Sequence, residues 1–248
     1  MGDFMALLTC RFRSEVLEVD TSLQAIVPEH RQGPWPTLYL LHGLGDDEAA
    51  WCRYSAVERY ANERGIAVIM PSSGRSFYCN MAYGPRWFDF LSNELPSVAG
   101  RLFPLSEQRE STFVAGLSMG GYGAFKWALR EPHRFAAAAS LSGSLDIADV
   151  ATRADPPPDA RLIFGDRSPA GSDDDLLTLV EQFSAASDTA PRLYQWCGTE
   201  DFLYQPNQRF LNAACTAGIA VDYSEGPGDH QWCYWDEQIE RVIDWMLR

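Results

Sequence analysis

Short apolar runs alternate along the chain with stretches of helical period. Residues 4–13 (FMALLTCRFR) and 15–27 (EVLEVDTSLQAIV) carry strand-forming residues in partial two-residue alternation, and Pro28 closes the second. They predict an antiparallel start to a sheet. After the turn-rich Gln32-Gly33-Pro34, the run TLYLLHG predicts a buried strand that stops at Gly43. A polar GDDE loop then leads into a helix from about 51 to 64. IAVIMP predicts the next strand, ending at Pro71, and a loop over 72–86 rich in Gly, Ser and aromatics precedes a helix around 87–102.

A strand over 112–116 follows, then the helical pattern YGAFKWALRE, then the small-residue strand FAAAASLSG, which ends at Gly143. From Ser144 to Ala190 the pattern loosens around Pro156-Pro157-Pro158, the acidic run Asp173-Asp174-Asp175 and the helical LLTLVEQF. This stretch reads equally as a small cap or as a plain excursion between strands. The acidic run reads as a solvated helix start. RLYQWCG resumes the strands, followed by a helix from about 205 to 217, the short strand AVDYSEG and a last helix over 235–247. Strands alternating with helices predict one α/β domain over 1–248, with a mainly parallel central sheet, antiparallel N-terminal strands and helices on both faces.

A length of 248 residues with 46% hydrophobic content suits a single buried core. The net charge of -14 argues against a nucleic-acid partner, because phosphate backbones attract basic surfaces. Six scattered cysteines (Cys10, Cys52, Cys79, Cys197, Cys215, Cys233) form no CxxC pair and read as buried thiols in a reducing compartment. No run approaches the roughly 18 apolar residues of a membrane span, and no secretory leader pattern opens the chain. Together these predict a cytoplasmic protein. The composition leaves a homo-oligomer open.

The chemistry gathers at Gly116-Leu117-Ser118-Met119-Gly120-Gly121, between an apolar strand and a largely apolar helix. Glycines two positions either side of Ser118 permit a sharp strand-to-helix turn that lifts the hydroxyl above the sheet edge. A serine hydroxyl needs an imidazole to take its proton and a carboxylate to hold that imidazole. Of four histidines, His30 lies in a Pro-rich turn and His133 at a helix end; His42 precedes the elbow at a strand end. His230, in the glycine-rich GPGDHQW after the last strand, is the candidate base. Asp201, in CGTED after the strand YQWC, is the preferred acid, and Asp166 is its rival, because ARLIFGD also reads as a strand ending in an acidic turn. Glu200 is expected to face away, and Asp229 would have to double back on its neighbour.

The oxyanion needs preorganised donors. Met119, after the nucleophile, offers one amide, and Leu44, in the loop after TLYLLHG, offers the other, with His42 and Gly43 shaping that loop. Tyr78 and Trp232 are the candidate pocket residues among several loop aromatics.

The segments HGLGDDEAAW, PSSGRSFYCNMAYG, GLSMGGYGAFKWAL, GTEDFLYQPNQRF and GDHQWCYWDEQI, in order over nearly the whole chain, resemble the tributyrin-esterase branch of the esterase D and S-formylglutathione hydrolase superfamily. The resemblance is weakest over 144–190. It implies an α/β-hydrolase carboxylesterase for short acyl chains, with Ser118, Asp201 and His230 as the triad and the Leu44 and Met119 amides as the oxyanion hole. It implies a small-molecule ester substrate, an acyl-enzyme intermediate and no metal or organic cofactor. The wider superfamily leaves thioesterase, feruloyl or acetylxylan esterase and acyltransferase chemistry open.

Overall fold

A computed structural model describes residues 5–29, 32–153, 156–183 and 190–248; His30 lies outside them. β1 (Met5–Arg13) and β2 (Asp20–Pro28) form an antiparallel hairpin in the register Met5↔Pro28 to Arg13↔Asp20. The second strand starts at Asp20, five residues later than its pattern predicts. The reason is local: the Glu94 carboxylate accepts from the Ser14 hydroxyl and from the amides of Glu15 and Val16, drawing this backbone off the ladder into a turn.

The remaining strands are β3 (Thr37–Leu41), β4 (Ala67–Pro71), β5 (Thr112–Leu117), β6 (Ala137–Leu141), β7 (Arg192–Gly198) and β8 (Val221–Gly226). The sheet order is β1-β2-β4-β3-β5-β6-β7-β8, with β2 antiparallel to β4 and every later pairing parallel. The helices are α1 (Ala50–Tyr54), α2 (Val57–Arg64), α3 (Trp87–Asp89), α4 (Leu95–Leu102), α5 (Met119–Arg130), α6 (Ile147–Thr152), α7 (Ala160–Phe164), α8 (Leu176–Gln182), α9 (Tyr204–Thr216) and α10 (Trp232–Met246). A π-helical turn, Phe90–Glu94, joins α3 to α4.

β3, β4, β5 and β6 read as nearly continuous apolar runs because both faces of the sheet are covered there. Tyr39, Leu41, Ile69, Val114 and Ala138 face a core shared with α4, α5, α8 and α9. Their alternates Leu38, Leu40, Val68, Phe113 and Ala139 face a second core with α2 and α10. This is the α/β-hydrolase fold, with antiparallel strands at its N-terminal edge.

Three local expectations are corrected. The helix expected over 51–64 breaks at Ser55, whose hydroxyl bonds the Trp51 carbonyl at 2.5 Å and competes with the helical ladder. ARLIFGD, with the look of a strand, is the short helix α7 ending at Gly165, which takes φ 72°. Its apolar run is too short for its period to separate strand from helix. The acidic run is not simply a solvated helix start. Asp175 caps α8 by accepting from the Leu177 amide, and Asp174 reaches inward.

Asp174 meets Lys126, which lies within α5 with its side chain wholly buried. The ammonium is 3.0 Å from Asp174 Oδ1 and 3.1 Å from Cys79 Sγ, and the Tyr122 hydroxyl donates to the Asp174 carbonyl at 2.7 Å. One buried cation therefore ties α5, the 72–86 loop and the stretch before α8 together. Burial alone would raise the Asp174 carboxyl, but the adjacent ammonium holds it below its ordinary value. Replacing Lys126 by Ala strands a carboxylate and should cost about 3 kcal/mol of stability. Because the Asp174 carboxyl is depressed in the folded state, the pair's contribution is present above about pH 4 and is lost as the pH falls through the folded value. Thermal unfolding of wild type and Lys126→Ala from pH 7 to pH 3 should show a gap in Tm that narrows in acid; a constant gap would show that the charge pair is not its source.

Candidate active site

The chain turns at Ser118 with φ 52° and ψ -117°, a conformation strained for any residue with a side chain. Glycines make the turn possible. A Cβ on Gly116 would lie 2.4 Å from the Gly120 backbone, and one on Gly120 would lie 2.3 Å from the Leu41 carbonyl oxygen. The Ser118 side chain makes no cap bond to α5. Its hydroxyl is 3.0 Å from His230 Nε2.

His230 comes from the loop between β8 and α10, and its Nδ1 is 2.8 Å from Asp201 Oδ2. Asp201 follows β7 with its side chain fully enclosed, while His230 stays about one-fifth exposed. Burial pushes the Asp201 carboxyl up, but the bonds from His230 and from the Leu203 amide outweigh it and hold the group below the ordinary carboxylate range. It remains an anion at neutral pH. An anion there fixes Nδ1 as the protonated nitrogen and turns the Nε2 lone pair toward Ser118. Glu200 does face away: its carboxylate accepts from the Gly228 amide, and its own amide donates to the Gly228 carbonyl at 3.0 Å. That pair of bonds clips the histidine loop to the β7 end. Asp229 bonds Gln231, not its neighbour.

The Leu44 loop runs beside the elbow, where a Cβ on Gly43 would lie 3.7 Å from the Ser118 Cβ. Three successive carbonyls at its root each receive a side-chain donor: Leu41 from Trp51 Nε1 at 3.1 Å, His42 from the Tyr78 hydroxyl at 3.0 Å, and Gly43 from His42 Nδ1 at 2.8 Å. His42 Nε2 accepts from the Ser73 amide at 3.0 Å, which leaves the ring proton on Nδ1. Burial depresses its pKa, so the ring stays neutral. In a trans peptide the N–H points opposite the C=O. Capturing the Gly43 carbonyl therefore aims the Leu44 amide the other way. Among the described residues, neither the Leu44 nor the Met119 amide donates to a protein acceptor.

The other expected residues are placed as follows. Asp166 is exposed after α7, pairs with Arg161 at 2.9 Å and does not meet His230. Tyr78, expected to line the pocket, is fully buried beneath the Leu44 loop, because its hydroxyl is drawn down onto the His42 carbonyl. Trp232 is partly buried and packs edge-on against Trp51 at 5.1 Å. His133 is exposed at the end of α5. Sequence reasoning missed two rings against His230: Trp235, edge-on at 4.8 Å, and the 64% exposed Phe202 at 4.6 Å. The signal for Phe202 was its position next to Asp201.

Residues 14–245 match the Esterase family model. An acetyl esterase of Caldicellulosiruptor saccharolyticus is 32% identical over 98% of this chain and 99% of its own length. The fluorophosphonate-binding serine hydrolase F of Staphylococcus aureus, solved with substrate bound, superposes with a TM-score of 0.92 at 36% identity, over 98% of this chain and 99% of that one. An S-formylglutathione hydrolase from the same species gives 0.90 at 36% identity, over 99% and 100%. With a strained serine, an imidazole and a buried carboxylate in line on this fold, the chain belongs to the Esterase family, of the esterase D type, and is a carboxylic ester hydrolase.

Proposed function

We propose that the enzyme hydrolyses short-chain acyl esters, in the manner of a tributyrin esterase, through an acyl-enzyme on Ser118. The observation that carries this reading is the chain of two hydrogen bonds from Ser118 Oγ through His230 to Asp201, at 3.0 and 2.8 Å. Ser118 Oγ attacks the ester carbonyl while His230 Nε2 takes its proton; the tetrahedral oxyanion is held by the Leu44 and Met119 amides. His230 then protonates the departing alcohol, and a water activated by the same nitrogen cleaves the acyl-enzyme. Asp201 stays ionised throughout and stabilises the imidazolium. This chemistry calls for no cofactor.

The acetyl esterase relative supports a short acyl group. A thioesterase reading has support in the S-formylglutathione hydrolase neighbour. A glutathione thioester brings carboxylates, however, and the Leu44 loop carries Asp46, Asp47 and Glu48, while the nearby Arg75 already pairs with Asp159 at 2.5 Å. That charge balance favours a neutral ester. We further read 1–248 as one domain in which the described residues within 144–190 form a small cap, on the strength of the Lys126–Asp174 and Arg75–Asp159 ties. The reading includes a cytoplasmic setting, supported by six free thiols; among the described residues no helix is long and apolar enough to cross a membrane.

With p-nitrophenyl esters from acetate to decanoate, kcat/KM should peak at the short acids and exceed that for S-formylglutathione and a feruloyl ester. Ser118→Ala should abolish both turnover and fluorophosphonate labelling, and retained activity in that variant would remove the nucleophile assignment. Asp201→Asn should cut kcat by about 10⁴, whereas Asp166→Asn should leave kinetics near wild type; the reverse pattern would move the acid. His42→Ala frees the Gly43 carbonyl and should lower kcat by about 10², with KM little changed. Full activity in that variant would show that the Leu44 amide is held without the imidazole.

A further inference from the structure

Resting on the reading of His230 as the group that protonates the departing alcohol, we propose that Phe202 forms the wall of the leaving-group site and selects esters whose alcohol carries an aromatic ring. An aromatic ring stands exposed here where burial is the rule. Phe202 is 64% exposed although both of its neighbours, Asp201 and Leu203, are buried. The surrounding backbone does not let it wander: the Leu203 amide donates to Asp201 Oδ1 at 2.8 Å, and the Tyr204 amide donates to the Asp201 carbonyl at 2.9 Å at the start of α9. The turn that seats the acid also presents this ring.

The ring lies 4.6 Å from the His230 ring, tilted by 52°, while Trp235 meets His230 at 4.8 Å and 82°. The two differ in what they can offer. Trp235 is only 4% exposed and continues into Trp232 at 5.5 Å, which in turn meets Tyr54 at 5.1 Å. Phe202 has the open face. An aromatic ring gains from an offset or edge-on partner beyond simple area burial, and an exposed one stands ready for a ligand ring to supply it.

The mechanism places a ligand group there. In the tetrahedral intermediate the C–O bond to the alcohol breaks as His230 Nε2–H delivers its proton to that oxygen, so the oxygen lies within hydrogen-bond reach of the imidazole. Whatever the oxygen carries extends outward past the imidazole, and Phe202 is the exposed apolar surface against that imidazole. A benzyl-type alcohol fits this surface; a small aliphatic alcohol leaves it wet. The carbonyl oxygen, held by the Leu44 and Met119 amides, and the acyl chain leave the reacting carbon along bonds other than the one to the alcohol. Acid and alcohol specificity therefore reside in separate parts of the site.

Acetate esters test the idea, because every acetate gives the same acetyl-enzyme and the alcohol enters only the acylation step, which kcat/KM reports. Benzyl acetate and ethyl acetate release alcohols of similar basicity, so their ratio isolates ring binding from leaving-group reactivity. Wild type should prefer benzyl acetate. Phe202→Ala should lower the benzyl-to-ethyl ratio of kcat/KM by about tenfold, with the loss carried in KM, and Phe202→Tyr should restore it. A fall of both substrates together with an unchanged ratio, or a shifted pH profile, would overturn the proposal in favour of a ring that merely shields the His230–Asp201 bond. An unchanged ratio without any fall would also overturn it. Ser118→Ala measured alongside keeps the two readings apart: activity that survives that substitution removes the triad reading itself, whereas serine-dependent activity with an intact ratio in Phe202→Ala removes only the alcohol site.

Discussion

The site depends on two close approaches of backbone to backbone that meet at Gly120. The Gly116–Gly120 contact lets β5 turn into α5 without a gap, and the Gly120–Leu41 contact lets α5 sit against the end of β3. With a methyl group at either glycine, backbone would have to move, and Ser118 and the Leu44 loop would separate. The strain at Ser118 is offset by the packing of α5, whose residues from Met119 to Leu129 are all buried. A helix enclosed from its first turn to Leu129 can hold a strained serine where a surface helix could not.

The same logic governs the polar groups around it. Buried carbonyls at the root of the Leu44 loop must be paired, and the donors that pair them are Trp51, Tyr78 and His42 from three different parts of the chain. Satisfying those carbonyls fixes the peptide planes, and the Gly43–Leu44 plane turns the Leu44 amide away from the captured Gly43 carbonyl. Ordinary hydrogen-bond satisfaction at the root of the loop thus fixes its backbone. On the other side of the serine, Glu200 does the equivalent for the histidine loop through its two bonds with Gly228.

The 144–190 stretch obeys a different principle. It joins the body through charge as well as packing, with Asp174 on Lys126, Asp173 near Arg130 and Asp159 on Arg75. Of these only the first is buried on the lysine side, so it dominates; exposed pairs are screened and contribute little. An acidic run that looks solvated in one dimension becomes a tether because a lysine within α5 has no water to face.

Much of the fold was written locally. Apolar runs bounded by Gly, Pro and polar loops marked the central strands, because a strand covered on both faces needs nothing but apolar side chains, and partial alternation marked the N-terminal pair. The glycines around Ser118 marked the elbow, because only glycine permits that approach. The order serine, aspartate, histidine along the chain pointed to Asp201 and His230, because each follows a strand. Other features depended on partners distant in sequence. ARLIFGD has the composition of a strand, yet it forms a helix. Tyr78 and Trp232 were equally plausible pocket residues in sequence, yet a carbonyl 36 residues away buried the first. Phe202 carries no mark in sequence beyond its place beside Asp201, and the fold alone sets it against His230. Periodicity and composition record how each segment meets solvent and core on average, so they determined elements and chemistry; which ring stays open, which carbonyl takes which donor and which carboxylate meets the imidazole are set by contacts between segments, and only the tertiary structure decided them.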